Sequence, residues 1–382
     1  MIDPQILSFH LMLLNDSHRM RAYRQAVFNT VRPGDIVLDV GTGSGILAIF
    51  ACQAGAKHVY AGDRGDIIIL AREIARVNNF GDRITFLQKD VRQVKLDEPV
   101  DVITSELIAK AVLGQNMAEL IGFCRDNFLK PGGRILPEKV ELRIAPVENE
   151  NNYRDARPPS QKSYDIIFDP LERLSINKPI SSRIPAESLL AVEQTAYSYS
   201  ALTAENSDTF DSTLYFKPER RGTLHGFTGW FTTVLSEGIE LTNKPPGTRS
   251  WDTLFFPLAE SVKVEPGMSI EVRFRGRSDS EIQDFWIWNT TVTNGEQVVA
   301  KHTQSSFSGR ILTADTLRKA SDAWAPTIRM EGKIAQRTLS LMQQNMSLLE
   351  IANQVRQEFP QQFESIKDSI SMVRKIAEQY GD

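Results

Sequence analysis

The residues best suited to chemistry lie in the run Val37-Leu38-Asp39-Val40-Gly41-Thr42-Gly43-Ser44-Gly45-Ile46-Leu47. An apolar strand enters three alternate glycines and leaves as a helix. A turn without β-carbons lets a ligand lie directly against the backbone at the carboxyl edge of a sheet. A dinucleotide fingerprint would carry its third glycine three residues after the second, and Ile46 stands there instead. Glycines at 41, 43 and 45 suit a ligand without a pyrophosphate, so nicotinamide redox chemistry fails on the spacing. Asp63 closes the next strand, where it can accept both hydroxyls of a ribose. Asp90 follows the third strand and is placed to accept from an adenine amino group. The turn alone is weak evidence; with both carboxylates it points to a nucleoside site. Arg19 precedes the first strand on a helix. Its planar guanidinium either folds back onto a ligand carboxylate or lies on a solvated face.

The elements that must position these residues alternate along the chain. Apolar residues at Leu11, Leu14, Met20, Ala22, Tyr23, Val27 and Phe28 predict one helix over residues 4–31, ended by Arg32-Pro33-Gly34-Asp35. Strands are predicted at 36–40, 58–61, 84–87, 100–104 and 134–136, with helices at 45–54, 67–78 and 116–128. Strict alternation with fully apolar strands predicts a parallel sheet covered on both faces, closed by Pro137. Residues 150–163 are polar and proline-bearing, a linker. From about 189 to 311 the runs LHGFTGWFTTV, DTLFFPL, SIEVRFRG and DFWIWNTTV are separated by turn signals. They predict an antiparallel β-domain, expected as a barrel.

At 382 residues the chain exceeds one ordinary core, and two or three domains are expected. Hydrophobic content of 41% and charged content of 24% exclude a disordered or coiled-coil chain. A net charge of −4 gives no footprint for nucleic acid or anionic lipid, and neither is expected as a partner. Cys52 and Cys124 sit in apolar helical stretches and are expected as buried free thiols, which suits a reducing cytoplasm. MIDPQILSFH has no basic stretch ahead of an apolar run, so no signal peptide is expected. No stretch approaches the roughly 20 apolar residues of a membrane span. His10, His18, His58, His225 and His302 lack the paired spacing of metal ligands, and no metal is expected.

The string VLDVGTGSGILAIFACQAGAKHVYAGD resembles the protein arginine methyltransferases. His10 and Arg19 match the helix that precedes the sheet in that family, with Leu13 where methionine is usual. Ser105-Glu106-Leu107 matches its first active-site glutamate, LKPGGRILPEKV continues at the sheet's end, and PPGTRSWDTLFF resembles its His-Trp loop. The resemblance covers roughly residues 9–311. It implies an α/β fold: a Rossmann-like sheet that binds S-adenosyl-L-methionine and yields S-adenosyl-L-homocysteine, followed by a β-barrel. It implies cofactor contacts from Arg19, Asp39, Gly41, Gly43, Gly45, Leu47, Asp63, Asp90, Val91 and Glu106. Acceptor-site roles fall to Glu106, Gln115, Ser250, Trp251 and His10. Residues 164–180 fall where the family carries a dimerisation arm, which implies a homodimer.

Two departures alter the acceptor half. The family's second glutamate falls at Gln115, and the histidine of its His-Trp loop is Ser250. Methyl transfer is an in-line displacement, so the enzyme mainly aligns a lone pair with the methyl carbon. Glu106 leaves one strong acceptor, while Gln115 donates as well as accepts. That pair suits an amine, an amide, a histidine ring nitrogen or a differently held guanidine. Glu106 would orient the group and help remove its proton, unless it merely caps the next helix. Ser250 and Trp251 would line the acceptor mouth, with Trp251 as barrel core the plainer alternative. Tyr23, Trp230, Trp286 and Trp288 are expected in the core. The expected activity is N-methylation of a peptide, protein or small-molecule acceptor. An O-methyltransferase acting on a carboxylate or hydroxyl, and a silent cofactor-binding scaffold, are the alternatives. An intact Glu106 and glycine turn weigh against the scaffold.

Four segments follow: helical residues 1–31, the sheet at 32–137, the β-barrel at 138–312 and a helical module at 313–382. The module is predicted to hold helices at 335–344, 348–358 and 363–380, the middle one opened by a capping box, Ser347-Leu348-Leu349-Glu350. Three short helices with tight turns resemble a winged-helix or helix-turn-helix unit. Residues 331–382 carry six Lys/Arg and seven Asp/Glu, a net of −1 that argues against DNA. Acceptor recognition is the expected role, and a lid or dimer brace is the plainer one.

Overall fold

The computed structural model describes residues 2–112, 114, 116–158, 164–205, 207–278, 284–311, 313–319 and 321–381. Gln115 lies outside the described residues. The chain divides into two compact units, Met1–Ile311 and Leu312–Asp382.

The first unit opens with α1 (Pro4–Leu14) and α2 (Ser17–Thr30) where a single helix was expected. Asp16 explains the break. It leaves helical geometry at φ −83°, ψ 89° and turns its carboxylate onto the Arg19 N–H at 3.2 Å, an N-cap that starts a new helix. The alternating segment follows as β1 (Ile36–Val40), α3 (Ile46–Gln53), β2 (His58–Gly62), α4 (Ile67–Val77), β3 (Ile84–Leu87), β4 (Val100–Ser105), α5 (Met117–Phe128) and β5 (Leu129–Leu136). The strands form a parallel sheet in the order β3-β2-β1-β4-β5. All five β1 residues are buried, as a strand covered on both faces requires. The chain leaves β1 toward β2 and later returns to its other side as β4. That reversal opens a crevice at the carboxyl ends of the strands.

The β-domain comprises β6 (Lys139–Val147), α6 (Glu150–Asp155), α7 (Asp169–Ser175), β7 (Ile180–Ser182), β8 (Gln194–Ser200), β9 (Thr209–Phe216), β10 (Gly222–Ser236), β11 (Ile239–Thr242), β12 (Thr253–Val264), β13 (Met268–Arg277), β14 (Phe285–Asn294) and β15 (Gln297–Ser305). Expected as a barrel, it has its strands in two antiparallel sheets. One runs β7-β12-β10-β6-β8 with β11 paired to β10, and the other runs β15-β14-β13-β9. Alternate residues of β13 (Met268, Ile270, Val272, Phe274) are buried, the period-two pattern of a half-covered strand. Phe256 of β12 meets Phe274, Trp286 and Trp288 edge-on at 5.1, 5.1 and 5.5 Å, so aromatic rings weld the two sheets.

The second unit holds α8 (Ala314–Lys319), α9 (Met330–Met342), α10 (Leu348–Glu358) and α11 (Ile366–Tyr380). Ile334, Leu341, Ile351, Val355, Phe363, Val373 and Ile376 form a core of its own. The expected capping box at Ser347 and Glu350 is formed, and a second one joins Ser365 to Asp368. Among the described residues no helix is long and apolar enough to cross a membrane.

Candidate active site

The glycine turn is built by backbone bonds across the sheet. The N–H groups of Gly41 and Thr42 both donate to the Gly62 carbonyl, at 2.9 and 3.0 Å, which ties the end of β1 to the end of β2. Gly41 and Gly43 have φ of 71° and 53°, where a side chain is disfavoured. Space is short there as well. A β-carbon at Gly41 would fall 2.7 Å from the Leu107 side chain, and one at Gly43 would fall 2.5 Å from the His10 ring. Asp63 bridges this turn to the next. Its two oxygens accept from the N–H groups of Gly43 (2.9 Å) and Gly65 (2.8 Å).

This turn forms part of the wall of a cavity of about 910 Å³. The sheet contributes Gly41, Gly43, Leu47, Asp63, Asp90, Val91 and Glu106, the N-terminal helices contribute His10 and Arg19, and the β-domain contributes Trp251. The Arg92 side chain binds both Asp90 oxygens, at 2.9 and 2.7 Å, and holds the carboxyl down at about 2. Burial lowers the His10 pKa, against the pull of the Asp63 carboxylate. Arg19 and Glu106 meet in a nearly buried ion pair, Nη2 donating to Oε2 at 2.5 Å. Burial nonetheless raises the Glu106 pKa, with Arg19 opposing. The Arg19 guanidinium also lies 5.4 Å from the rings of both Tyr23 and Trp251. Its Nε is buried and has no hydrogen-bond partner among the described residues.

Three residues expected at this site do not line the cavity. Asp39 is fully buried, and its oxygens accept from the hydroxyls of Thr42 (2.5 Å) and Thr104 (2.9 Å). Burial raises its pKa to about 6 despite those bonds, so it fixes the turn from below. Gly45 faces α4, where a β-carbon would sit 3.1 Å from the β-carbon of Ala71; its task is close packing of two helices. Ser250 donates its hydroxyl and its N–H to Asp16, so it secures the start of α2. Trp251 lines the cavity and is also buried core, packed at 4.9 Å against Phe231.

The β-domain holds residues that brace or line the cavity and that the motifs did not announce. Asn243, fully buried, donates to the Lys110 carbonyl at 2.9 Å and accepts from the Phe231 N–H at 2.7 Å. It thereby pins the segment after Glu106 to β10. Asp208 accepts from the N–H groups of Ala118 and Glu119, at 3.1 and 2.9 Å, and caps α5 from across the domain boundary. Trp286, expected only as core, also lines the cavity, and so does Asp284.

A parallel sheet with a nucleoside-sized crevice at its carboxyl ends, roofed by an antiparallel β-domain, defines a Rossmann-like ligand-binding protein. A family model described as ribosomal protein L11 methyltransferase (PrmA) matches residues 23–136, and one described as PRMT5 oligomerisation domain matches residues 161–357. Protein arginine N-methyltransferase 1 of Saccharomyces cerevisiae is 30% identical over 274 residues, covering 69% of this chain and 78% of that protein. The probable protein arginine N-methyltransferase 6.2 of Oryza sativa subsp. japonica is 32% identical over 254 residues. The chain spans 64% of the length of that rice relative, and the match covers 64% of this chain. The Trypanosoma brucei PRMT1 enzyme–prozyme heterotetrameric complex with AdoHcy superposes with a TM-score of 0.72 at 25% identity, over 78% of this chain and 96% of that one. Arabidopsis thaliana protein arginine methyltransferase 10 shares the fold, with a TM-score of 0.67 at 24% identity, over 79% and 99% of the two chains. The chain belongs to the protein arginine N-methyltransferase family.

Proposed function

We propose that this chain is an S-adenosyl-L-methionine-dependent methyltransferase that methylates a nitrogen of a peptide or protein acceptor. The observation that carries the reading is one cavity joining a β-carbon-free nucleoside edge to a buried glutamate. The residues fit that cofactor. Any β-carbon at Gly41 or Gly43 would invade packed space, so the backbone there is bare. Asp63 spends one bond per oxygen on the turn, and a carboxylate has about four acceptor sites, so capacity remains for ribose hydroxyls. Asp90 would accept from the adenine amino group, and the orphaned Arg19 Nε is a buried donor suited to the methionyl carboxylate.

When bound, the cofactor supplies an electrophilic methyl group. The chain's own residues align the acceptor and manage its proton. Glu106 orients the nucleophilic nitrogen by accepting its hydrogen, and its raised pKa makes it a better proton acceptor than an ordinary carboxylate. Trp251 would wall the acceptor channel. Two unpaired, buried cysteines support a cytoplasmic setting, and the segment around α7 supports a homodimer by family analogy.

Calorimetry tests the cofactor half. S-adenosyl-L-homocysteine should saturate the protein, NAD should give no heat, and Asp63→Ala should weaken binding by roughly 1–3 kcal/mol. Saturation with NAD alone would sink the proposal. Incubation with isotopically labelled cofactor and cell extract, followed by mass spectrometry, should place the label on nitrogen.

A further inference from the structure

The cavity wall carries a carboxylate that the proposed function leaves idle. Asp284 stands just before β14 and lines the same cavity as Glu106. It is half-buried, and it accepts from the Ser278 hydroxyl at 3.0 Å. Burial raises its pKa, Ser278 opposes, and the charge acting on it is a like one, Asp208. No cation neutralises it among the described residues. A carboxylate withdrawn from water without a counter-ion is costly unless the cavity's occupant completes it.

Backbone geometry ties Asp284 to the segment that Glu106 opens. That segment folds back on itself at the bridge between Ala109 and Val112, and Gly114 lies on its return limb. With φ at 131°, Gly114 is held so tightly that a β-carbon would meet Ala109 at 2.7 Å. The same point lies 3.6 Å from Asp284 Oδ2. The Asp284 carboxylate therefore rests against the hairpin headed by Glu106. Asn243 and Asp208 bind that hairpin and the start of α5 to the β-domain, so the two carboxylates are held on fastened elements. The sequence has glutamine, not a carboxylate, at position 115.

We propose that Asp284 supplies the second carboxylate of the acceptor site from the β-domain. With Glu106 it selects a cationic nitrogen group with several donors, a guanidinium or an alkylammonium. The word acceptor rests on the methyltransferase reading; the binding preference does not. Two anionic groups satisfy more N–H donors of such a group than one can, and they disfavour anions. The Trp286 ring on the same wall adds an aromatic face for a cation. Lys178 and Arg310 also line the cavity and would favour an anion, and the experiment separates the two outcomes.

The full chain, saturated with S-adenosyl-L-homocysteine, is titrated by NMR with ethylguanidinium, with its neutral analogue ethylurea, and with propionate. Ethylguanidinium should bind saturably and both others much more weakly. Asp284→Asn should weaken ethylguanidinium at least tenfold, Asp284→Glu should retain most of the affinity, and the Kd for S-adenosyl-L-homocysteine should stay unchanged in both. Equal binding of ethylurea, a preference for propionate, or unchanged affinity in Asp284→Asn each overturns the proposal. If Asp284→Asn does not fold, the selectivity of the unsubstituted chain decides. The titrations are repeated without S-adenosyl-L-homocysteine. A chain that ignores S-adenosyl-L-homocysteine but prefers ethylguanidinium would refute the cofactor reading and leave this one standing.

Discussion

Glu106→Gln separates the two halves of the cavity. Glu106 Oε2 accepts from Arg19 at 2.5 Å, with the two side chains 13% and 7% exposed. The amide keeps an acceptor for Arg19 but loses the charge. The Arg19 guanidinium stays charged, so its bond to the amide remains charge-assisted, and the loss is the attraction of the opposite charge, about 1–2 kcal/mol for roughly one pKa unit of interaction. Neutralising the side chain also relieves the burial penalty that raises its pKa, which offsets part of that loss. The variant should therefore melt no more than about 3 °C below the unsubstituted chain, given an unfolding entropy of about 0.65 kcal/mol/K for a unit of this length. Arg19 keeps its backbone anchor, Nη1 to the Leu13 carbonyl at 3.4 Å, so S-adenosyl-L-homocysteine affinity should change by less than about threefold. Turnover on the acceptor found by mass spectrometry should fall about 100-fold or more, because an amide cannot take a proton. The pH profile adds a second readout. Activity needs ionised Glu106, whose pKa is raised, so the acid limb should lie above the ordinary carboxylate range and vanish in the variant. Calorimetry showing cofactor affinity falling in step with turnover would refute the division, and Glu106 would belong to the cofactor.

Asp39 gives the clearest pH signature. Its folded pKa of about 6 exceeds its ordinary 3.8, so it contributes stability below about pH 4 that is lost as pH rises through 6. Measured by urea unfolding, the stability of the unsubstituted chain relative to Asp39→Asn should fall by about 2.5 kcal/mol between pH 4 and pH 7.5; a pH-independent difference would contradict this. Ser250→Ala removes the hydroxyl bond to Asp16 and should cost about 1–2 kcal/mol, with S-adenosyl-L-homocysteine affinity within twofold, because Ser250 does not line the cavity. Truncation after Ile311 should leave a soluble unit that binds S-adenosyl-L-homocysteine, since the removed helices have their own core. The truncate should show a raised KM for the true acceptor with kcat less affected, and an insoluble truncate would show that those helices complete the fold.

The parallel sheet and the glycine edge of the cavity were legible because they rest on local patterns: apolar runs, alternate glycines and a carboxylate at a strand end. Gly41, Gly43, Asp63, Asp90 and Arg19 all line the cavity. Spacing does not tell a residue that faces a ligand from one that supports its neighbour, and so Asp39 and Gly45 were grouped with the rest. β1 is buried on both faces, and its pattern carries no sign of which side chain turns inward. The break at Asp16 escaped because apolar periodicity does not register an N-cap: the carboxylate accepts from the Arg19 N–H three residues on, and Ser250, 234 positions away, adds a second bond. Asn243 reaches Lys110 across 133 positions, and no local pattern encodes such a contact.

These long-range bonds converge on one guanidinium. Asp16 starts α2 and receives Ser250, which sets the loop before β12, while Arg19, one turn into α2, is flanked by Trp251 of that loop. The same guanidinium holds Glu106, and its buried Nε, without a partner among the described residues, is left for the cofactor task proposed for it. Any ligand that draws Arg19 toward its own carboxylate changes the field at Glu106, and any acceptor that engages Glu106 changes what Arg19 can offer. Cofactor and acceptor affinities should then be coupled, within the roughly threefold bound set by Glu106→Gln, and the coupling must be reciprocal. Ethylguanidinium binding measured with and without S-adenosyl-L-homocysteine gives that factor directly. Equal affinities in the two states would mean that the Arg19–Glu106 pair holds the fold without linking the sites.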